Sequence, residues 1–295
     1  MFDLRYHVAS LAAVFFALVV GILVGVALAS HGLGSAERRK LEDELKNANS
    51  QIDKLNGTVQ EYKAEKSFVD SAYNAVMSDR LRDENVGLLF IGRFDKSLSG
   101  AVRKTLDDAG AAMTRMRAVS VPINARSVVA TLAKRSAVAA YASGPKRFLN
   151  IGRELADEFV AGGNTPLWDA LEGQLVEERI GGARRPIDAV VVVRTASPQT
   201  GRATAQLLGG MLTELGDRSI PVVGAEFRGT FPSAVSTYKH YGLSSVDDLE
   251  IPIGKVALAV LLSPDGVTGH YGLQDVDDAI LPDIPPVTAA KTAGG

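Results

Sequence analysis

The sequence predicts an α/β fold: a single N-terminal transmembrane helix, a parallel coiled-coil helix, and then a mostly parallel-sheet, Rossmann-like α/β domain. Three observations carry this. Residues 8–29 hold no charge. Residues 41–76 space apolar side chains at alternating steps of four and three, the mark of a heptad repeat. From Asn85 onward short continuous apolar runs alternate with helix-like segments, as in a parallel sheet covered on both faces. The predicted boundaries are an N-terminal flank 1–7, the membrane helix 8–30, a linker 31–36, the coiled coil 37–84, the α/β domain 85–276 and a disordered tail 277–295.

The first segment reads VASLAAVFFALVVGILVGVALA. At roughly 1.5 Å per residue it is long enough to cross about 30 Å of hydrocarbon as a helix. Ala9, Ala13, Ala17, Gly21, Gly25 and Ala29 fall at every fourth place, so they form a smooth stripe on one face against which another helix can pack closely. Ala27-Leu28-Ala29 has the small-x-small form of a signal cleavage site, but the apolar run exceeds the 7–15 residues typical of a signal peptide. A retained anchor is the expectation.

After the linker the seam runs through Leu41, Leu45, Ala48, Ile52, Leu55, Val59, Tyr62, Lys66, Val69, Tyr73 and Val76. With Leu45, Ile52, Val59, Lys66 and Tyr73 at a, the remaining six are d. Ile and Val at a with Leu at d favour a parallel pair. Copies anchored in one membrane meet in parallel, so stripe and seam point to the same homodimer. Gly57 sits at the outermost f position, and Lys66 interrupts the seam. A coil of about 40 residues spans roughly 60 Å.

In the remainder VGLLFIG at 86–92, MTRMRAVSV from Met113, DAVVVVR at 188–194, IPVVGAEF at 220–227 and KVALAVLLS at 255–263 read as strands. SLSGAVRKTLDDAGA reads as a helix stopped by Gly110, a second helix runs from about Gly201 to Leu215, and residues 124–185 read as mainly helical. These runs do not alternate as the strands of a membrane β-barrel do.

The chemistry is sparse. Lys plus Arg number 32 against 34 Asp plus Glu, which gives nucleic-acid binding no electrostatic support. Cys is absent, so disulfides and thiolate chemistry are excluded. The turn Ile91-Gly92-Arg93-Phe94-Asp95 is no glycine-rich phosphate cradle, Ile253-Gly254-Lys255-Val256 is no P-loop, and no Gly-x-Ser-x-Gly elbow occurs. His7, His31, His240 and His270 lie scattered, and Met113 and Met116, three apart on a strand, should face opposite ways. The pairs Asp107-Asp108, Asp247-Asp248 and Asp277-Asp278 read as solvated helix starts or loops. No catalytic, cofactor-binding or metal residue is assigned, and no enzymatic activity is expected.

Two segments carry a resemblance. Met1-Phe2-Asp3-Leu4-Arg5-Tyr6-His7-Val8-Ala9-Ser10-Leu11, running into the apolar helix, resembles the opening of the actinobacterial MctB family. Ser244-Ser245-Val246-Asp247-Asp248-Leu249-Glu250-Ile251-Pro252-Ile253-Gly254-Lys255-Val256-Ala257 resembles its C-terminal signature. One description of that family implies copper transport or an outer-membrane channel. The other, of its division-associated SteB-type members, implies a single-pass protein whose extracytoplasmic coil engages and activates a peptidoglycan hydrolase together with a SteA-like membrane partner. One apolar helix and few metal ligands favour the second. The resemblance implies an extracytoplasmic C-terminal domain. The charge rule leans the other way, with Arg5 before the helix and Arg38, Arg39 and Lys40 after it.

Overall fold

The computed structural model describes residues 4–28, 34–182, 184–197, 201–264, 266–273 and 278–286. The N-terminal Met1-Phe2-Asp3, Ala29 of the predicted stripe, linker residues 31–33 with His31, Asp277 and the tail 287–295 lie outside them. The chain divides into two units, Met1–Asp70 and Ser71–Gly295.

The first unit contains α1, Leu4–Leu28, and most of α2, Gly34–Met77. Within α1, Ser10–Leu28 is long and apolar enough to cross a membrane, which suggests an anchor or a signal sequence. The predicted linker is shorter than expected, because residues 34–36 already belong to α2. That helix stops at Met77, short of the predicted 84, where Asp79 and Asp83 take positive φ angles of 58° and 66° in successive turns. Left-handed residues of this kind break a helical ladder.

The second unit is a seven-stranded sheet in the order β3-β2-β1-β4-β5-β6-β7. Its strands are β1, Asn85–Ile91; β2, Ala112–Val119; β3, Val176–Ile180; β4, Ala189–Arg194; β5, Val222–Ala225; β6, Ser244–Val246; and β7, His270–Tyr271. All neighbours are parallel except β3, which runs antiparallel on the edge beside β2. Side chains alternate between two cores. Leu89, Ile91, Val190 and Val192 face one, and Leu88, Phe90, Val191 and Val193 the other. Both faces being covered is why these strands read as unbroken apolar runs.

Helix α3, Lys96–Ala109, begins where the Asp95 carboxylate accepts from the Leu98 N–H at 2.9 Å and ends at Gly110, whose φ of 83° is left-handed. Both are sequence-readable caps. The predicted helical stretch contains α4, Ala125–Ala133, α5, Arg147–Ala161, and α6, Pro166–Ala170, but also the edge strand β3. Helices α7, Arg202–Gly216, and α8, Val235–His240, follow β4 and β5.

Two predictions are corrected here. Residues 255–263 form no strand; 255–262 belong to α9, Pro252–Leu262, and Ser263 caps it. Pro252 supplies the helical φ at the first position, and every residue from Val256 to Leu262 is buried. An apolar run buried all round has no periodicity to separate helix from strand. The expected disordered tail also starts too early. The Asp278 N–H donates to the His270 carbonyl at 2.7 Å, the Gly272 N–H to Ala279, and Leu281 packs on the second core.

Candidate interaction surface

Helix α1 places Ala13, Ala17, Gly21 and Gly25 four apart, on one face. A methyl group added at Gly21 or Gly25 would meet nothing within 4 Å, so the stripe is open for a helix to approach.

On α2 the predicted seam residues Leu41, Leu45, Ala48, Ile52, Leu55, Val59, Tyr62 and Val69 are all exposed, and the large ones among them show 44–65 % of their surface. Core leucines such as Leu88 show none. Each would contribute about 1.5–3 kcal/mol if fully buried. On a straight helix a heptad stripe drifts about 20° per heptad, so roughly 80° from Leu41 to Val69, and a left-handed supercoil removes that drift. Lys66 turns its ammonium to Asp70 at 2.6 Å, an e-position partner one turn on. The Asp70 contact raises the lysine pKa.

The two last seam residues are placed elsewhere. Tyr73 and Val76 pack on the core of the second unit, and the Tyr73 hydroxyl donates to Asp108 at 2.7 Å. Their apolar surface is taken up within the chain, so the open stripe ends at Val69. Sequence reasoning missed Phe68, 74 % exposed at a c position beside Val69; its aromatic ring flanking a d residue was the available signal.

In open parallel sheets ligands bind beyond the carboxyl ends of the strands, at the switch point of strand order, here between β1 and β4. There the two strand ends are tied to each other. The Thr195 and Ala196 N–H groups both donate to the Ile91 carbonyl, at 2.9 and 3.1 Å, and the Thr195 hydroxyl donates to Arg93 at 2.7 Å. Gly92, at a φ of 115°, lies so close to Ala196 that a side chain would strike its backbone nitrogen.

Farther along this edge the Asp247-Asp248 pair departs from its solvated expectation, for both residues are fully buried. Asp247 Oδ1 accepts from the Leu273 N–H at 3.0 Å, whereas Asp247 Oδ2 and both Asp248 oxygens have no hydrogen-bond partner among the described residues. Burial, then the Asp247 and Glu250 charges, push Asp248 up to about 6. Gly254 is required beside it, because a methyl group there would strike the Asp248 carbonyl.

The candidate metal ligands are not gathered. Met113 and Met116 face the same core rather than opposite ones, because a bulge opposite Val86-Gly87 inserts one residue between them. His270 Nδ1 lies 2.9 Å from the Ser245 hydroxyl, while the His240 ring packs edge-on against Tyr241. Among the described residues no three His, Cys, Asp or Glu side chains form a metal-ligating group.

A family model described as copper transport outer membrane protein, MctB, matches residues 1–282. No curated protein matches the chain.

Proposed function

The chain belongs to the MctB family, and from that premise we propose that it is a membrane-anchored homodimeric scaffold whose α2 coil, outside the cytoplasm, engages and activates a peptidoglycan hydrolase during cell division. The observation that carries this reading is the open apolar stripe from Leu41 to Val69. A soluble helix leaves such a stripe bare at a cost in hydration, and pairing in parallel with a second copy removes it. A paired coil then offers its flanks to a coil of the enzyme, the helix-in-groove mode of recognition. The small-residue stripe of α1 supports the same parallel dimer, and a SteA-like membrane partner completes the assembly by resemblance.

The absence of Cys makes the test clean. A single cysteine replaces Leu55, at d, or Ser50, at f, in cells of the source species, and intact cells receive either an oxidant or a membrane-impermeant maleimide. Leu55→Cys should form a disulfide dimer, Ser50→Cys should not, and Ser50→Cys should be labelled before lysis. Labelling only after lysis would put α2 in the cytoplasm, out of reach of a cell-wall enzyme.

The family description supports a second reading, copper handling in the envelope. Calorimetric titration of the full chain in detergent with Cu(I) and Cu(II) tests it, and tight stoichiometric binding would favour it over the scaffold.

A further inference from the structure

Two cavities of about 320 Å³ each adjoin on the face of the sheet covered by α5 and α7. Arg147 lines both. It shares the first with Arg202 and Gln206, and the second with Arg126, Ala125 and Val129. Every charged residue lining them is an arginine, and no carboxylate among the described residues pairs with any of the three. The Arg147 Nε is shut off from solvent with no hydrogen-bond partner among the described residues, while its guanidinium lies 5.4 Å from the Phe148 ring centre. The ring approach helps to hold the half-buried guanidinium against Phe148 at the edge of the cavity.

The backbone adds to this charge. Helices α5 and α7 run parallel: Phe148 and Ala203 line one cavity, Gly152 meets Leu207, and Asp157 pairs with Arg218 beyond. Both helices therefore start at the first cavity. Among the described residues no side chain caps either start, and the positive end of each helix dipole lies there.

We propose that the first cavity binds a phosphoryl group, gripped by Arg147 and Arg202, and that the second holds an apolar portion of the same molecule against Ala125 and Val129. Planar arginine forks match phosphoryl oxygens in pairs, and two arginines with two helix starts answer more than one negative charge. The shared chemistry is the phosphoryl group. It can be delivered by a soluble phosphate compound or by a lipid headgroup.

The full chain in uncharged detergent, titrated calorimetrically with pyrophosphate and separately with dihexanoyl phosphatidic acid, tests this. One-to-one saturable binding of at least one probe is expected, and Arg147→Gln and Arg202→Gln should each weaken it about tenfold or more. Arg103→Gln, an exposed arginine on α3, should leave it unchanged. The melting temperature without probe shows that the variants fold. Tighter binding of phosphatidic acid assigns the source to a lipid, and equal or tighter binding of pyrophosphate assigns it to a soluble compound. No saturable binding of either probe overturns the proposal, as does binding undiminished in both cavity variants or lost equally in Arg103→Gln.

Discussion

Helix α2 and the sheet unit solve the same problem in opposite ways. From Leu41 to Val69 a single chain leaves its large apolar seam side chains open to water. In the sheet unit even charged groups are taken inside: Arg115, Arg117, Glu158, Asp247 and Asp248 are all buried. Arg115 donates to the carbonyls of Phe159, Gly182 and Arg185, and Arg117 to those of Ile180 and Gly181. Each guanidinium thus ties the edge segment after β3 to β2 without an acidic partner. The sheet unit answers its buried arginines within one chain, whereas the stripe on α2 stays bare. An apolar surface left bare by its own chain is one that a second chain can cover, and the proposed dimer rests on that contrast.

The largest effect expected from this contrast is on assembly. Ile52→Asp with Leu55→Asp puts four carboxylates into the seam of a dimer, and at about 2 kcal/mol per lost apolar contact the dissociation constant should rise by about three orders of magnitude or more. Sedimentation equilibrium of the full chain in detergent reads it directly. A dimer that survives would mean that the sheet unit or α1, not α2, holds the copies together.

The reverse break belongs in the sheet unit. Trp168 is buried against Phe159, and its indole N–H donates to the Leu155 carbonyl at 2.9 Å. Trp168→Ala should cost about 3–5 kcal/mol of that unit's stability and leave dimerisation unchanged. Urea unfolding followed by circular dichroism measures the first, sedimentation the second. Equal loss of both would erase the distinction between the regions.

The buried acids predict a smaller effect, dependent on pH. Asp248 rises from an ordinary 3.8 to about 6, and Glu158 from 4.5 to about 7, chiefly by burial. Glu158 is partly answered, since it accepts the N–H groups of Leu167 and Trp168 at the start of α6. Groups whose folded pKa is raised hold their protons more tightly when folded. Their contribution is full below about pH 4 and is lost as pH climbs through 6 and 7. The sheet unit should therefore melt higher at pH 5 than at pH 8. Asp248→Asn should remove part of that slope, gaining about 3 kcal/mol at pH 8 and about half as much at pH 5. An unchanged slope would mean that Asp248 is not the group titrating.

How far the sequence reaches follows the same division. Strands β1, β2, β4 and β5 were legible because continuous Val, Leu and Ile runs bounded by turns have few other homes, and α3 because Asp95 and Gly110 mark its ends. β6 and β7 were not, being two or three residues long with Ser and His among them. The edge strand β3, Val-Glu-Glu-Arg-Ile, is too polar to stand out. The α2 stripe was legible because a heptad is a local pattern; the placement of Tyr73 and Val76 was not, since it depends on Asp108 from α3. The burial of Asp247 and Asp248 and the meeting of Arg147 with Arg202 are products of the fold alone. Local spacing predicts an interaction surface, whereas a cavity needs residues far apart in the chain.

The finest test of the contrast is Gly57. It lies within α2, with nothing within 4 Å of an added methyl group, at the f position of the repeat. In a parallel pair f points away from the partner, so Gly57→Ala should only remove the conformational freedom that glycine keeps when unfolded. The gain is about 1 kcal/mol per helix, and so about 2 kcal/mol per dimer, seen as a roughly thirtyfold lower dissociation constant if folding of α2 is coupled to pairing. Were residue 57 instead at a close helix contact, the methyl group would push the helices apart and weaken the dimer. The sign of the change, read by sedimentation, therefore fixes which face of α2 meets its partner.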